Sequence, residues 1–211
     1  MQPVSELMAF SEPEWHDCPA CGTDSMRPGL CWDCSRVERA RSDAREAVAL
    51  AKRNLPPAFA DMVLGPAIAA RVRPVERLSD AERVLALEPH AIAFTGPPGA
   101  GKTTLAVAML KAWMDRRVLP AMFVESFRLC GGAMHLDPDM VTVPLLLLDD
   151  MGAEREMAST LIPELIYQRH ARSLPTWVTT GIHHEHFAAR YGGGIARRVF
   201  ERATILRMGT P

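Results

Sequence analysis

The sequence lacks an apolar run long enough to cross a bilayer, which requires about 20 residues. Its longest candidate, residues 143–148, is interrupted by Pro144 and followed by two aspartates. Residues 1–17 are acidic and irregular, and they contain no apolar segment of the kind found in secretion signals. We therefore expect a soluble, cytoplasmic protein that makes no contact with membranes.

An excess of charge of one sign is also absent. The 24 Lys and Arg residues are balanced by 25 Asp and Glu residues, and the formal net charge is −1. This balance excludes a strongly basic, histone-like protein, so any contact with nucleic acid must come from a local patch. The length of 211 residues fits one globular domain with a small additional module.

From residue 55 onward, short apolar segments alternate with segments of helical periodicity. Strands are predicted at 91–95, 121–125, 145–149, 176–180 and 204–208, and helices at 102–117, 157–172 and 195–202. Each predicted strand is apolar on both faces. This pattern predicts an α/β fold in which helices cover both sides of a parallel sheet.

Residues 96–104 read GPPGAGKTT and match the phosphate-binding pattern G-x-x-x-x-G-K-[ST], with a strand before them and a helix after them. In such a P-loop, backbone N–H groups surround the β-phosphate at the positive end of the helix dipole. Lys102 is predicted to reach the β- and γ-phosphates of ATP, and the Thr103 hydroxyl to complete the Mg²⁺ shell. The predicted nucleotide-binding residues are Gly96, Pro97, Pro98, Gly99, Ala100, Gly101, Lys102, Thr103 and Thr104.

Two acids, Asp149 and Asp150, follow the third predicted strand of this domain. Because ligands bind at the carboxyl ends of parallel strands, these side chains should lie beside the P-loop. Asp149 is predicted to hold Mg²⁺, directly or through water, and Asp150 to orient or deprotonate the attacking water. Glu154 is a weaker candidate for the base, and two solvated acids at a strand end are the alternative interpretation.

Four segments together resemble one protein family: GPPGAGKTTLAVAML, LLLLDDMGAE, TWVTTGIHHEHF and ARRVFERATILRM. They look like the AAA+ ATPases of the DnaC/IstB-like family, which are bacterial and phage helicase loaders and ATPase subunits of transposons. The resemblance covers about residues 55–208. It implies a P-loop NTPase fold of AAA+ type, ATP-dependent assembly on DNA as a homo-oligomer, and a replicative helicase or a transposase as protein partner.

The resemblance also implies a γ-phosphate sensor and an arginine finger. The sensor falls at the end of the fourth strand, where relatives often have Asn; here Thr180 is expected to act, next to Thr179. The finger, supplied by a neighbouring subunit, is expected to be Arg198, with Arg197 and Arg202 as further candidates. Two departures from the family are a short 126–144 segment and an expected lack of a C-terminal helical lid.

Four cysteines form the pattern C-x₂-C-x₉-C-x₂-C: Cys18, Cys21, Cys31 and Cys34. Two such pairs predict a closed tetrahedral site for structural Zn²⁺. An iron–sulfur cluster could use the same ligands, whereas a redox pair is disfavoured because no thioredoxin pattern accompanies it. The module is too small for its own core and is expected to fold around the metal. Cys130 is expected to be an ordinary thiol.

These patterns divide the chain into a flexible leader (1–17), a zinc-binding module (18–34), a linker helix with Ser35 as N-cap (35–54) and an AAA+ ATPase domain (55–211). The zinc module is expected to bind a protein partner, and the segment with His183, His184 and His186 to be a polar loop. The predicted activity is Mg²⁺-dependent ATP hydrolysis in helicase loading or transposition. The alternatives are a nucleotide-gated adaptor with little turnover and, third, a small-molecule kinase.

Overall fold

The computed structural model describes residues 14–87, 91–130, 135–154 and 161–209. The chain divides into two compact units, Met1–Ala44 and Arg45–Pro211. Most of the predicted leader and the side chain of Cys130 lie outside the described residues. Within the described part of the chain, no helix is both long enough and apolar enough to span a membrane.

The small unit begins with a short hairpin in which β1 (His16–Asp17) pairs antiparallel with β2 (Asp24–Ser25). Helix α1 (Trp32–Arg53) follows and continues into the large unit. It begins before Ser35, so the prediction of Ser35 as N-cap is wrong. The Ser35 N–H donates to the Cys31 carbonyl at 2.9 Å, which places this residue within the first helical turn.

The large unit is built around a parallel sheet with the strand order β4-β5-β6-β3-β7. The strands are β3 (Ala91–Thr95), β4 (Ala121–Glu125), β5 (Leu145–Met151), β6 (Thr176–Thr180) and β7 (Ala203–Arg207). The predicted α/β fold is confirmed. The three central strands are almost entirely buried because helices cover both faces of the sheet.

The helices of the large unit are α2 (Arg77–Ala86), α3 (Lys102–Arg117), α4 (Pro138–Thr142), α5 (Leu161–Ala171), α6 (His184–Tyr191) and α7 (Gly193–Phe200). Short 3₁₀ turns lie at Pro57–Phe59, Pro66–Arg71 and Ser126–Cys130. The histidine-rich segment was expected to be a loop, and that expectation is wrong. It forms α6 because Phe187 and Tyr191, one helical turn apart, are both buried.

Alternation along the strands assigns each residue to one face of the sheet. Leu147 of β5 and Trp177 of β6 share a core with α3, whereas the neighbouring Leu148 and Val178 belong to the core on the opposite face. Two residues further along the strands, Asp149 of β5 and Thr179 of β6 lie on the same face as α3. The carboxyl edge of the sheet on that face is therefore where the predicted site residues meet.

Candidate nucleotide site and cysteine cluster

The predicted phosphate loop joins β3 to α3 at the carboxyl edge of the sheet. Gly101, directly before α3, has a φ of +85°, a left-handed conformation that favours glycine. A Cβ on Gly101 would lie 1.9 Å from the Arg71 carbonyl oxygen. The Arg73 N–H donates to the Ala100 carbonyl at 3.1 Å. The loop thus requires glycine for its turn and also for the close approach of the preceding segment.

Lys102 is the first residue of α3, and its ammonium group lies back over the loop. Nζ donates to the carbonyl oxygens of Gly96 and Pro97, each at 2.9 Å. Burial lowers the pKa of Lys102, and the carboxylates of Asp150 and Asp149 oppose this shift. A partly desolvated ammonium beside the N-terminus of a helix is a cation suited to phosphate oxygens.

Asp149 lies between two threonine hydroxyls. Thr103 Oγ1 donates to Asp149 Oδ1 at 2.8 Å, and Thr179 Oγ1 donates to the same oxygen at 2.7 Å. Burial raises the pKa of the Asp149 carboxyl group, whereas the hydrogen bonds from Thr179 and Thr103 lower it. A buried carboxylate next to the Thr103 hydroxyl provides oxygen ligands of the kind that Mg²⁺ prefers.

Asp150 has an exposed side chain that lines the same cleft. Its backbone has a φ of +54°, in the left-handed region that Asp tolerates better than most residues. The Asp150 N–H donates to Thr179 Oγ1 at 2.8 Å, and its carbonyl accepts from Ser126 Oγ at 2.7 Å. These contacts hold the backbone and leave the carboxylate in the cleft, as a water-orienting group requires.

Glu154, the weaker candidate for the base, does not line the cleft. Its fully buried carboxylate accepts hydrogen bonds from Ser126 Oγ at 3.0 Å, from the Gly152 N–H at 2.8 Å and from the Tyr191 hydroxyl. Arg190 Nε lies 3.3 Å from the same carboxylate. The structure therefore gives Glu154 the geometry of an anchor that ties the loop after β5 to α6.

Strand β6 lies between the P-loop strand β3 and the acid-bearing strand β5. Thr179 at its end contacts Asp149, as described above. The hydroxyl of the adjacent Thr180 instead donates to the Met151 carbonyl at 2.7 Å and accepts from the Ile182 N–H at 3.1 Å. Adjacent strand residues point to opposite faces, so only one threonine can share the α3 face with Asp149. The structure brings Thr179 to Asp149, and it does not bring Thr180 there.

Eight of the predicted residues line an open cleft of about 570 Å³. Its lining consists of Arg71, Pro98, Gly99, Gly101, Lys102, Thr103, Thr104, Asp149, Asp150 and Gly181. Arg71 and Gly181 were not predicted as site residues. Arg71 belongs to no motif and reaches the cleft from the 3₁₀ turn upstream of α2. Gly181 lies in the quoted segment TWVTTGIHHEHF, but it has no side chain that would suggest a role. Three predicted loop residues, Gly96, Pro97 and Ala100, do not line the cleft. The carbonyls of Gly96 and Pro97 accept from Lys102, and Ala100 is buried.

The three candidate finger arginines lie at the opposite edge of the sheet. Arg197, Arg198 and Arg202 line a cavity of about 330 Å³ together with Ala91 and Thr176, the first residues of β3 and β6. The P-loop follows the last residue of β3. The structure therefore does not bring these arginines to the cleft of their own chain.

The four cysteine sulfurs of the small unit form a compact cluster. All four lie within 4.8 Å of one another, and Sγ of Cys21 is 3.7 Å from Sγ of Cys31. Four sulfurs bound to one tetrahedral zinc at about 2.3 Å are roughly 3.8 Å apart. The cluster therefore has the size of a zinc site. Across the described ranges, no other group of three or more His, Cys, Asp or Glu side chains could hold a metal ion.

Hydrogen bonds prepare part of this cluster for a cation. The Cys31 N–H donates to Cys18 Sγ at 3.3 Å, and this bond is the main reason that the pKa of Cys18 is lowered to about 6. Hydrogen bonding with Thr23 lowers the pKa of Cys21. Contact with the sulfurs of Cys21 and Cys31 raises the pKa of Cys34 to about 12. A divalent cation at the centre would offset the negative charge of neighbouring thiolates and favour deprotonation of all four cysteines, so the donor set fits Zn²⁺.

Comparison with solved structures identifies the fold. The crystal structure of the DnaC helicase loader is 22% identical to this chain, with a TM-score of 0.64, and the match covers 73% of this chain and 100% of that chain. The crystal structure of DnaI is 21% identical with a TM-score of 0.53, and the match covers 70% of this chain and 96% of that chain. The replication initiator DnaA bound to AMPPCP and single-stranded DNA is 16% identical with a TM-score of 0.53, and the match covers 75% of this chain and 52% of that chain.

No family model matches the chain, and no curated protein matches its sequence. Because the structural matches are below 25% identity, they establish the fold alone. At the level of the fold the predicted resemblance is confirmed: the chain has a DnaC-like P-loop fold, preceded by a four-cysteine cluster suited to zinc.

Proposed function

We propose that this protein is a Mg²⁺-dependent ATPase of the AAA+ type that couples its nucleotide state to a DNA-associated assembly. The observation that carries the proposal is the meeting of Lys102, Thr103 and Asp149 at one cleft. An ammonium group and a hydroxyl at the start of a helix, next to a buried carboxylate on a neighbouring strand, are what a Mg²⁺–triphosphate complex requires. Replication is the favoured context, because DnaC is a helicase loader and the DnaA structure contains single-stranded DNA and AMPPCP, an ATP analogue. DNA transposition is the second proposed context.

Each cleft residue has a defined part in this proposal. Lys102 exchanges its two backbone carbonyl acceptors for β- and γ-phosphate oxygens. Thr103 and Asp149 hold Mg²⁺, which would screen the phosphate charge, and Asp150 orients the attacking water. Thr179 takes the sensor role expected of Thr180, because its hydroxyl contacts Asp149 and the backbone of Asp150.

A second copy of the chain would complete each site. The candidate arginines lie at the amino edge of the sheet, whereas the cleft lies at the carboxyl edge. An arginine finger can therefore act only on the nucleotide of another copy, through a head-to-tail homo-oligomeric assembly. We assign this role first to Arg198, because a guanidinium group donates in a fork that matches phosphoryl oxygens.

The cysteine cluster is proposed to hold structural Zn²⁺. Cys18, Cys21, Cys31 and Cys34 supply four sulfurs, which fills a tetrahedral coordination sphere and leaves no position for substrate. The small unit would then present a metal-stabilised surface to a protein partner. The proposed partner is a replicative helicase or a transposase, and DNA is the proposed nucleic-acid partner. A cytoplasmic location is part of the same proposal.

The proposal is tested by comparing Lys102→Ala with Lys111→Ala, two variants that remove the same charge from the same helix. Lys111 Nζ donates to the Ala60 carbonyl at 2.6 Å and does not line the cleft. Lys102→Ala should lose Mg²⁺–ATP affinity in calorimetry and steady-state phosphate release, and Lys111→Ala should retain both. Zinc content should be the same in both variants. Unchanged turnover in Lys102→Ala would contradict the proposed site.

A nucleotide-gated adaptor with little turnover is the second candidate function. The short, exposed Asp150 and the use of Glu154 in buried contacts favour it, since neither provides a longer carboxylate in the cleft. ATP affinity and turnover should therefore be measured with and without single-stranded DNA. Turnover stimulated by DNA supports the ATPase, whereas tight binding with no turnover under either condition supports the adaptor.

A further inference from the structure

We propose that Tyr167 is a positioning residue that fixes Arg198 for its reach to the nucleotide of a neighbouring copy. This inference rests on the proposed ATPase function. Tyr167 lies on α5 and Arg198 on α7, two helices that pack together on the same face of the sheet. Neither residue lines the chain's own nucleotide cleft.

Two contacts fix the Arg198 guanidinium group. Its Cζ lies 5.1 Å from the centroid of the Tyr167 ring, within cation–π distance. Its Nη1 donates to the Gly194 carbonyl at 2.9 Å. The ring holds the position of the guanidinium carbon, and the carbonyl accepts one of its N–H groups. The long arginine side chain is therefore held in one geometry before any anion arrives.

Arg198 also has an unused donor. Among the described residues, its Nε is buried and has no hydrogen-bond partner. A buried donor without a partner is unfavourable, so such groups commonly mark a place where a ligand or ion completes the contacts. Arg197, Arg202 and His170 also line the surrounding cavity, and Glu201 is the one acidic residue in its lining. Because the arginines outnumber the acid, an anion is the matching ligand.

The other two arginines lack this arrangement. Arg197 is exposed, and its Nε lies 3.7 Å from the Glu201 carboxylate. Arg202 is also exposed. A carboxylate neutralises a guanidinium charge, whereas an aromatic face holds the cation and leaves the charge available. Of the three candidates, the Tyr167 contact therefore selects Arg198 as the arginine prepared for a phosphate.

Tyr167 is 57% exposed, so burial of its ring contributes little to folding. Replacing it should therefore disturb Arg198 more than it disturbs the fold. Tyr167→Leu should lower kcat about three- to tenfold, in proportion to the lost cation–π contact. The KM for ATP should stay unchanged because the P-loop of the same copy is intact. Tyr167→Phe keeps the aromatic face and should retain full turnover.

Mixed subunits separate positioning in trans from a local structural effect. Lys102→Ala subunits have a defective P-loop but intact Tyr167 and Arg198. Mixing them with Tyr167→Leu subunits should restore turnover at the intact P-loops, because each can now receive a properly held arginine. Failure to recover activity in the mixture would overturn the inference.

Arg198→Ala distinguishes failure of this inference from failure of the proposed function. If Arg198→Ala loses turnover and Tyr167→Leu does not, the inference is overturned and the trans-acting ATPase stands. If Arg198→Ala retains full turnover, the arginine-finger role and the inference are overturned together. In the Arg198→Ala background, Tyr167→Leu should have no additional effect; a further loss of kcat would also contradict positioning through Arg198.

Discussion

The two units of the chain differ in how much apolar surface they bury. The large unit buries apolar side chains on both faces of its sheet. In the described part of the small unit, Cys18 is the one buried residue, and Trp15 and Trp32 are exposed. A segment that buries so little apolar surface cannot offset its loss of conformational entropy by packing. We therefore expect the small unit to depend on metal coordination, whereas the large unit is stabilised by its apolar core.

The largest expected effect comes from breaking the cluster with Cys31→Ser. This variant should lose bound zinc, and hydrogen exchange across residues 14–44 should approach that of an unfolded chain, because metal binding and folding are coupled. The melting temperature of the large unit should not change. Zinc analysis and hydrogen-exchange mass spectrometry measure both outcomes. Cys130→Ser, which changes a cysteine outside the cluster, is the matched control. Normal hydrogen-exchange protection of residues 14–44 in zinc-free protein would contradict the expectation that the small unit depends on the metal.

An intermediate effect is expected from a cavity in the large core. Leu147 is fully buried in β5, and Leu147→Ala should lower the free energy of unfolding of the large unit by about 2–5 kcal/mol. Denaturant unfolding followed by far-ultraviolet circular dichroism measures this change, since most helices lie in the large unit. The zinc content and the protection of residues 14–44 should remain as in the unmodified protein. A simultaneous loss of zinc would show that the two units do not have separate sources of stability.

The smallest expected effect on stability concerns Asp149. Burial raises its pKa, so the folded protein retains this proton at pH values where the unfolded chain has released it. Stability should therefore fall as the pH rises from the ordinary to the raised pKa. Asp149→Asn removes this contribution and still accepts hydrogen bonds from Thr103 and Thr179. At pH 7 without Mg²⁺, the variant should melt at a slightly higher temperature.

The same Asp149→Asn variant should bind Mg²⁺–ATP more weakly, by about tenfold or more, because a neutral amide is a poorer ligand for the ion. Calorimetry with and without Mg²⁺ measures this loss, and the protein without nucleotide serves as its own control. A variant that is less stable at pH 7, or one with unchanged Mg²⁺ dependence, would contradict the assignment of Asp149 as a buried metal ligand.

The strands and the P-loop helix could be predicted from the sequence because their signals are local. A buried parallel strand is a short apolar run, and the loop motif fixes where β3 ends and α3 begins. Helix α6 was missed because His183, His184 and His186, at and just before its start, suggested a polar loop. Its decisive signal is the spacing of Phe187 and Tyr191, one turn apart on one face.

The polar contacts of the site were less accessible to prediction. Choosing Thr179 over Thr180 requires knowing which face of the sheet each residue of β6 lies on. The packing of Trp177 in the core shared with α3 gives that information, because Thr179 is two residues further along the strand. The anchoring of Glu154 depends on Arg190 and Tyr191, which lie 36 and 37 residues further along the chain. No local pattern indicates such partners, because only the packing of α6 against the loop after β5 brings them together.

The contact between Gly101 and the Arg71 carbonyl has a practical consequence for genetics. Alanine at this glycine would displace the upstream segment as well as the phosphate loop, since the added methyl group has no space there. A null phenotype from Gly101→Ala would therefore confuse misfolding with loss of nucleotide affinity. Allele collections built to ask whether ATP is needed in the cell should rely on the lysine instead.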